Sequence, residues 1–271
     1  LRENWHANRI EEPKATWREV VLHPQSTFRA RKCLEISGTE RREAEVDVAV
    51  EENLAVILNG EFITALAALP VQFNELAIGF LIDEGLAKSL QDIASVKEEN
   101  GVLVCETREG TAGRWADQQC CSQGSSSFPD LMPVRGGLRM KASAILKAVA
   151  QLNQEAKLWR RTGATHTSMI CSSEGEILAS CEDVSRASSV DKAVGTALLA
   201  GYDLSSCALI TSGRLSGVMV AKAARAGFPV LVSRSAPMDS GVELAQKIGM
   251  TLVGFARSPN LYVYSGFERI I

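Results

Sequence analysis

Apolar positions along the chain change period several times, and each change marks an element. Residues 54–58, then Asn59-Gly60, then 61–65 predict a hairpin, because Asn-Gly supplies the two positive φ angles of a type I′ turn. The same dipeptide at Asn100-Gly101, between apolar runs at 93–96 and 102–105, predicts a second hairpin. Between them, Leu76, Ala77, Phe80, Leu81 and Leu86 follow a helical spacing, with Asn74 as the predicted cap and Gly85 near the end. Residues 46–111 thus form a small α+β unit. Ahead of it, 1–45 carry many charges, Pro13, Pro24 and no sustained period, which predicts a loosely structured arm with one short strand near 17–22.

Beyond residue 136 the pattern changes again. Ile145, Val149, Leu152 and Ala156 make the stripe of an amphipathic helix over about 141–159. Residues 165–171 and 176–181 flank Ser173-Glu174-Gly175 as a hairpin, and a helix over about 189–200 closes on Gly201. Strands at 208–211, 229–232 and 251–255 then alternate with helices at 217–226 and 240–248, with Gly227 and Gly249 just past the helices. Short connections between alternating strands and helices imply right-handed crossovers and a largely parallel sheet. Residues 137–271 are therefore expected to be a three-layer α/β sandwich, joined to the smaller α+β unit through a loop at 112–136.

That loop holds the unusual chemistry, Gln118-Gln119-Cys120-Cys121-Ser122-Gln123-Gly124-Ser125-Ser126-Ser127. So polar a run buries little apolar surface, which predicts exposure and mobility. Neighbouring cysteines sit about 3.8 Å apart across a trans peptide, below the usual disulfide range, so two accessible free thiols are expected. The chain has seven cysteines, an odd number without the spacing of a small disulfide scaffold, which suits a reducing cytoplasm. Residues 1–11 are polar and charged, without the apolar core of a signal peptide. A net charge of -3 and the lack of a long apolar run give no reason to expect nucleic acid or membrane as partner.

Ligands of open α/β sheets bind beyond the carboxyl ends of the strands. Three segments leave such ends, Ser212-Gly213-Arg214, Ser233-Arg234-Ser235-Ala236-Pro237 and Ala256-Arg257-Ser258-Pro259-Asn260, each with an Arg and a Ser suited to a phosphate or pyrophosphate. Polar surface loops of no special function have the same composition. Glu182-Asp183-Val184-Ser185-Arg186 reads either as an internal salt bridge or as a wall of that site. His166 has no second His or C-x-x-C beside it, and a hydrogen-bonded structural role is expected. Neither a dinucleotide fingerprint, nor a P-loop, nor a zinc-deaminase or structural-zinc ligand set occurs.

Taken in order, residues 46–60, 76–85, 182–186 with Asp191-Lys192, 211–214 with Lys222, and 252–257 resemble the formate dehydrogenase accessory sulfurtransferase (FdhD) family. The resemblance implies a larger domain similar to the cytidine deaminase fold without its zinc, and a cytoplasmic homodimer. It implies a carrier that accepts persulfide sulfur from a cysteine desulfurase. The sulfur then passes to bis-molybdopterin guanine dinucleotide, carrying molybdenum or tungsten, for formate dehydrogenase; no permanently bound metal is implied. Family members carry Cys-x-x-Cys-Gly in the loop. Aligned on Gly124, Cys120 matches the first Cys and Gln123 replaces the second, so Cys121 is either an extra thiol or the carrier itself. Ala187 and Val218 also depart from the family pattern, which has His and Glu there. The implied catalytic residues are Cys120 and Cys121. The implied cofactor contacts are Phe255, Ala256, Arg257, Ser258, Pro259 and Asn260, joined by Arg186, Ser212, Arg214, Ser233 and Ser235 from the rim. A non-catalytic chaperone for the cofactor or for formate dehydrogenase is the competing class; a thiol-disulfide oxidoreductase is disfavoured without a C-x-x-C at a helix start.

Overall fold

In the computed structural model, which describes residues 27–108, 128 and 131–271, the first element departs from the sequence reading. β1 (Phe28–Ser37) and β2 (Glu40–Ala49) form an antiparallel ribbon in unbroken register around Gly38, where a loose arm was expected. Hydrophobic alternation is absent because nearly every residue of the ribbon faces solvent. Its regularity comes instead from cross-strand charge pairs such as Lys32 opposite Glu45 and Glu35 opposite Arg42. At the base, Arg161 Nε reaches Asp47 Oδ2 at 2.5 Å and its guanidinium lies 3.7 Å from the Phe28 ring centroid. The strand expected near 17–22 lies outside the described residues.

Both Asn-Gly turns close as predicted, with φ of 51° and 84° at Asn59 and Gly60 and 52° and 80° at Asn100 and Gly101. They join β3 (Glu52–Leu58) to β4 (Glu61–Ala68) and β5 (Ile93–Glu99) to β6 (Val102–Thr107). Parallel pairing of β3 with β6 fuses the hairpins into one sheet, ordered β4-β3-β6-β5. Helix α1 (Phe73–Asp83) buries Leu76, Phe80 and Leu81 in a core shared with Leu54, Val56 and Leu103 of that sheet. Asn74 is not its cap. Gln72, at a left-handed φ of 57°, turns the chain into the helix and leaves Asn74 inside the first turn.

The six-stranded sheet runs β12-β11-β10-β9-β7-β8, built from β7 (His166–Cys171), β8 (Ile177–Asp183), β9 (Ala208–Thr211), β10 (Val230–Ser233), β11 (Thr251–Arg257) and β12 (Asn260–Ser265). Only β9 with β10 and β10 with β11 pair in parallel. β7, β8 and β12 are antiparallel to their neighbours, so the sheet is mixed rather than largely parallel. Alternate residues face two cores. Met169, Ile210, Val232 and Val253 pack with Ile145, Val149 and Leu152 of α2 (Ala142–Glu155). Ile170, Leu209, Leu231 and Leu252 instead join the core on the other side of the sheet, which includes Val194, Val220 and Leu244. Those three come from α4 (Arg186–Leu199), α5 (Gly217–Arg225) and α6 (Asp239–Ile248), so this half has three layers.

The helix predicted over 141–159 is two. Ala156 (ψ 60°) breaks it, and α3 (Lys157–Thr162) begins where the Glu182 carboxylate accepts the Leu158 and Trp159 N–H groups at 2.8 and 2.9 Å. α4 starts three residues earlier than predicted, with Ser185 Oγ accepting the Ser188 N–H at 3.4 Å.

α1 and α4 cross almost backbone to backbone. A Cβ on Gly79 would lie 1.7 Å from the Asp191 carbonyl oxygen, and one on Gly195 2.0 Å from that of Glu75. The smaller sheet and the larger one therefore share a single continuous core.

Candidate functional site

The antiparallel pairing of β7 with β9 decides what meets at the rim. Ser168 lies opposite Thr211, so the start of β7 emerges beside the loop that leaves the end of β9. Ser212 Oγ accepts the Thr167 N–H at 3.0 Å and lies 3.3 Å from His166 Nδ1. Below this contact runs a closed chain of hydroxyls. Ser189 Oγ and Ser168 Oγ are 2.8 Å apart, Ser168 Oγ donates to Thr211 Oγ1 at 3.0 Å, and Thr211 Oγ1 accepts the Gly213 N–H at 3.2 Å. Ser189 Oγ also bonds the Arg186 carbonyl at 2.9 Å. A satisfied buried network of this kind fixes its elements against each other. Here it ties the first turn of α4, the start of β7 and the 211–213 loop together.

Arg186 and Arg214 stand exposed at the top of that network, one at the start of α4 and one on the loop after β9. Their positive charges both reach His166, whose pKa is held below the usual histidine range first by burial and then by Arg186 and Arg214, with Asp183 pulling weakly the other way. Gly213 admits this packing, since a Cβ there would meet the Arg186 side chain at 3.0 Å. Among the described residues, neither Arg186 nor Arg214 has a carboxylate partner, so the rim carries unbalanced positive charge.

The other predicted rim residues divide into two groups. Ser233 is fully buried. Its hydroxyl donates to the Gly213 carbonyl at 2.6 Å and accepts the Ser235 N–H at 2.9 Å, which braces the loop. Ala256 is also fully buried and belongs to the core against α2. Neither side chain is free for a ligand. Ser235 is half-buried, and its carbonyl accepts the Phe255 N–H at 2.9 Å. Phe255, Arg257, Ser258, Pro259 and Asn260 are exposed, but they do not form the open loop expected. β11 continues through Arg257 and β12 begins at Asn260, making a tight antiparallel turn with a cis Ser258-Pro259 peptide. Phe255 has a left-handed φ of 48°, rare for an aromatic residue, and packs edge-on to Tyr262 at 6.1 Å. Arg257 Nε donates to the Arg234 carbonyl at 3.1 Å, linking this turn to the loop after β10.

The stretch 182–186 splits between its two readings. Asp183 is internal, accepting from Leu69 N, Ser185 N and Lys192 Nζ at 3.0, 2.9 and 2.7 Å, while Arg186 reaches the rim. Burial still pushes the Asp183 carboxyl up against the pull of Lys192. Lys222 is internal too. Its ammonium bonds Asp191 Oδ1 at 2.8 Å and Glu84 Oε1 at 2.9 Å at the meeting point of α1, α4 and α5. Burial and the Asp191 charge push Asp83 well above the carboxylate range, and no donor reaches either of its oxygens. The charge of Lys222 pulls the other way without offsetting that burial.

Thiol chemistry is narrowed by burial. Cys105, Cys171, Cys181 and Cys207 are buried, with the first two thiols pushed up to about 12 and the other two also raised. Protonated and enclosed, these four are poor nucleophiles. Cys33, on the solvent-facing ribbon, is exposed. Cys120 and Cys121 lie outside the described residues. Among the described residues no group of three or more His, Cys, Asp or Glu is placed to hold a metal ion, and no helix is long and apolar enough to cross a membrane.

With this geometry in place, the family model described as the FdhD/NarQ family matches residues 49–271. The chain belongs to the FdhD/NarQ family. A sulfur carrier protein FdhD of Methanothermobacter thermautotrophicus is 31% identical over 236 residues, covering 86% of this chain and 94% of that protein. The sulfur carrier protein FdhD of Thermoplasma acidophilum is 34% identical over 249 residues, covering 84% and 88%. A crystal structure of a protein from Desulfotalea psychrophila, described as a formate dehydrogenase accessory protein, superposes with a TM-score of 0.77 at 26% identity, over 90% of this chain and all of that one. In this FdhD/NarQ chain the matched span takes in both sheets and the whole rim, while β1 and most of β2 precede it.

His166 was expected to be a hydrogen-bonded residue, and it is, to Ser212; its place at the rim, within reach of the Arg186 and Arg214 charges, was not expected. Only the antiparallel pairing of β7 with β9 brings it there, and a sequence with a helix intervening does not announce that pairing.

Proposed function

We propose that this protein is a sulfur carrier serving formate dehydrogenase, taking persulfide sulfur from a cysteine desulfurase on Cys120 or Cys121. The observation that carries the reading is the FdhD/NarQ match over 49–271, with relatives named as sulfur carriers across most of their length. The thiol inventory narrows the choice among the described cysteines, since Cys105, Cys171, Cys181 and Cys207 are buried with raised pKa values. In loading, the carrier thiolate attacks the terminal sulfur of the donor's persulfide. The donor's S–S bond breaks as a new one forms, and the donor thiolate leaves, so the step needs no outside oxidant or reductant.

The acceptor in this reading is the bis-molybdopterin guanine dinucleotide of formate dehydrogenase, bound as substrate. Its phosphates suit Arg186, Arg214 and Ser212, because a rim with two guanidinium groups that lack carboxylate partners is matched to a multiply charged anion. Exposed Phe255 offers a ring face beside it. The test is to load the purified chain with a cysteine desulfurase and cysteine and to weigh it. The native chain and Cys33→Ser gain sulfur, and the double variant Cys120→Ala/Cys121→Ala does not. Full retention by the double variant would remove the pair as carrier, and the two single variants show which of the two thiols bears the sulfur.

A further inference from the structure

His166 is one of three histidines in the chain, with His6 and His23, and it belongs to no cluster that sequence alone reveals. Its surroundings are specific. Ser212 Oγ already accepts the Thr167 N–H, so its own proton is free to go to the neighbouring His166 Nδ1, 3.3 Å away. That assignment leaves the ring proton on Nε2, as a donor. The charged groups that reach the ring come from three elements. Arg186 stands at the start of α4 and Arg214 on the loop after β9. Asp183, at the end of β8, lies opposite His166 in register. The Asp183 carboxylate is already occupied by Lys192 Nζ at 2.7 Å and by two backbone N–H groups, so it does not neutralise the arginines.

We propose that His166 is a third ligand of the anion held on this rim, donating a hydrogen bond to a phosphate oxygen alongside Arg186 and Arg214 and becoming protonated as that anion binds. The proposal rests on the rim being a phosphate site, as argued above, and adds a residue and a pH dependence to it. Without an anion, burial and the two guanidinium groups hold the His166 pKa below its usual range. A di- or polyanion between those groups reverses the local field and makes the imidazolium favourable. By linkage the anion then binds more tightly as pH falls, by about tenfold for each unit that binding raises the histidine pKa.

The experiment is a side-chain NMR titration of the three histidines in the full-length chain, with and without inorganic pyrophosphate, assigned with His166→Asn. Pyrophosphate dissociation constants of the native chain, His166→Asn, Arg186→Ala and Arg214→Ala are measured from pH 5.5 to pH 8. The expected result is a His166 pKa below the ordinary value in the free protein that rises by about one unit or more on binding, and a ratio of native to His166→Asn affinity that grows as pH falls, the ratio cancelling the titration of pyrophosphate itself. An unchanged His166 pKa, together with a His166→Asn affinity equal to native at every pH, overturns the role of His166. The rim reading survives that outcome if the two arginine variants still weaken binding. Absence of pyrophosphate binding to the native chain overturns both.

Discussion

Two charged clusters, each with a residue on α4, behave oppositely. Where α1, α4 and α5 meet, Lys222 is buried and bonded to Asp191 and Glu84, and the Asp83 carboxyl, its pKa raised by burial and by Asp191, is buried beside them. At the strand-end rim, Arg186 and Arg214 are exposed and lack carboxylate partners among the described residues. Buried charge must be balanced to be tolerated, whereas surface charge left unbalanced is available for a ligand. Asp191 and Lys192 are thus scaffold, and Arg186, five residues before Asp191 on the same helix, is exposed at the rim where the proposed ligand would bind.

The largest effect is expected inside. Lys222→Met leaves Asp191 buried without its cation and Glu84 with Arg225, 4.0 Å away, in place of the closer ammonium, and should cost about 3–5 kcal/mol in denaturant unfolding. Arg214→Ala should stay within about 0.5 kcal/mol of native. If the two variants destabilise equally, the division between scaffold and site is wrong.

Next comes the helix crossing that holds the buried cluster. Gly195→Ala forces a methyl group to within 2.0 Å of the Glu75 carbonyl oxygen, so α1 and α4 must separate. A loss of about 1–3 kcal/mol is expected, with the pyrophosphate affinity of the folded fraction kept. At the rim the ranking reverses. Arg186→Ala should leave unfolding nearly unchanged but weaken pyrophosphate binding by roughly 10- to 100-fold, the size of one charge-assisted hydrogen bond. A rim variant that unfolds as readily as Lys222→Met would merge the two clusters into one structural network.

The last effect is in pH dependence. Burial raises the folded pKa of Asp83 well above the ordinary aspartate value, so above that ordinary value the folded state keeps a proton that the unfolded chain has released. Stability contributed by this group therefore falls as pH rises, by at most about 1.4 kcal/mol per unit, until the folded pKa is passed. Asp83→Asn keeps a donor toward Asp191 and should flatten that slope in unfolding measured from pH 4 to pH 8. An unchanged slope would mean that Asp83 is ionised in the fold.

Much of this was legible in the residues, and the failures have definite causes. Asn59-Gly60 and Asn100-Gly101 announced their hairpins because type I′ geometry depends on two local residues. The strands and helices from 208 onward were placed to within one or two residues, since burial on both faces makes continuous apolar runs; the exception is β12, which no strand was predicted to follow. The β1–β2 ribbon was invisible because neither face is buried, so no alternation survives in its sequence. Ser212 and Arg214 were placed at the rim by the strand-end rule, and Arg186 by the alternative that 182–186 forms a wall beside it. Ser233 and Ala256 were included by the same rule and are buried, because sequence does not show which way a residue at a strand end points. The hydrogen bond expected of His166 is present, but its partner, Ser212, was not legible, as that contact depends on a non-local pairing.

The claim that the rim is a delivery site, distinct from the thiols that load, is tested most directly by separating the two steps. Sulfur loading by a cysteine desulfurase and restoration of formate dehydrogenase activity in a strain lacking its own FdhD protein are measured for Arg186→Ala/Arg214→Ala and for Cys120→Ala/Cys121→Ala. The cysteine variant should fail in both, and the arginine variant should load sulfur as the native chain does yet restore little formate dehydrogenase activity. Full restoration by the arginine variant would contradict the account.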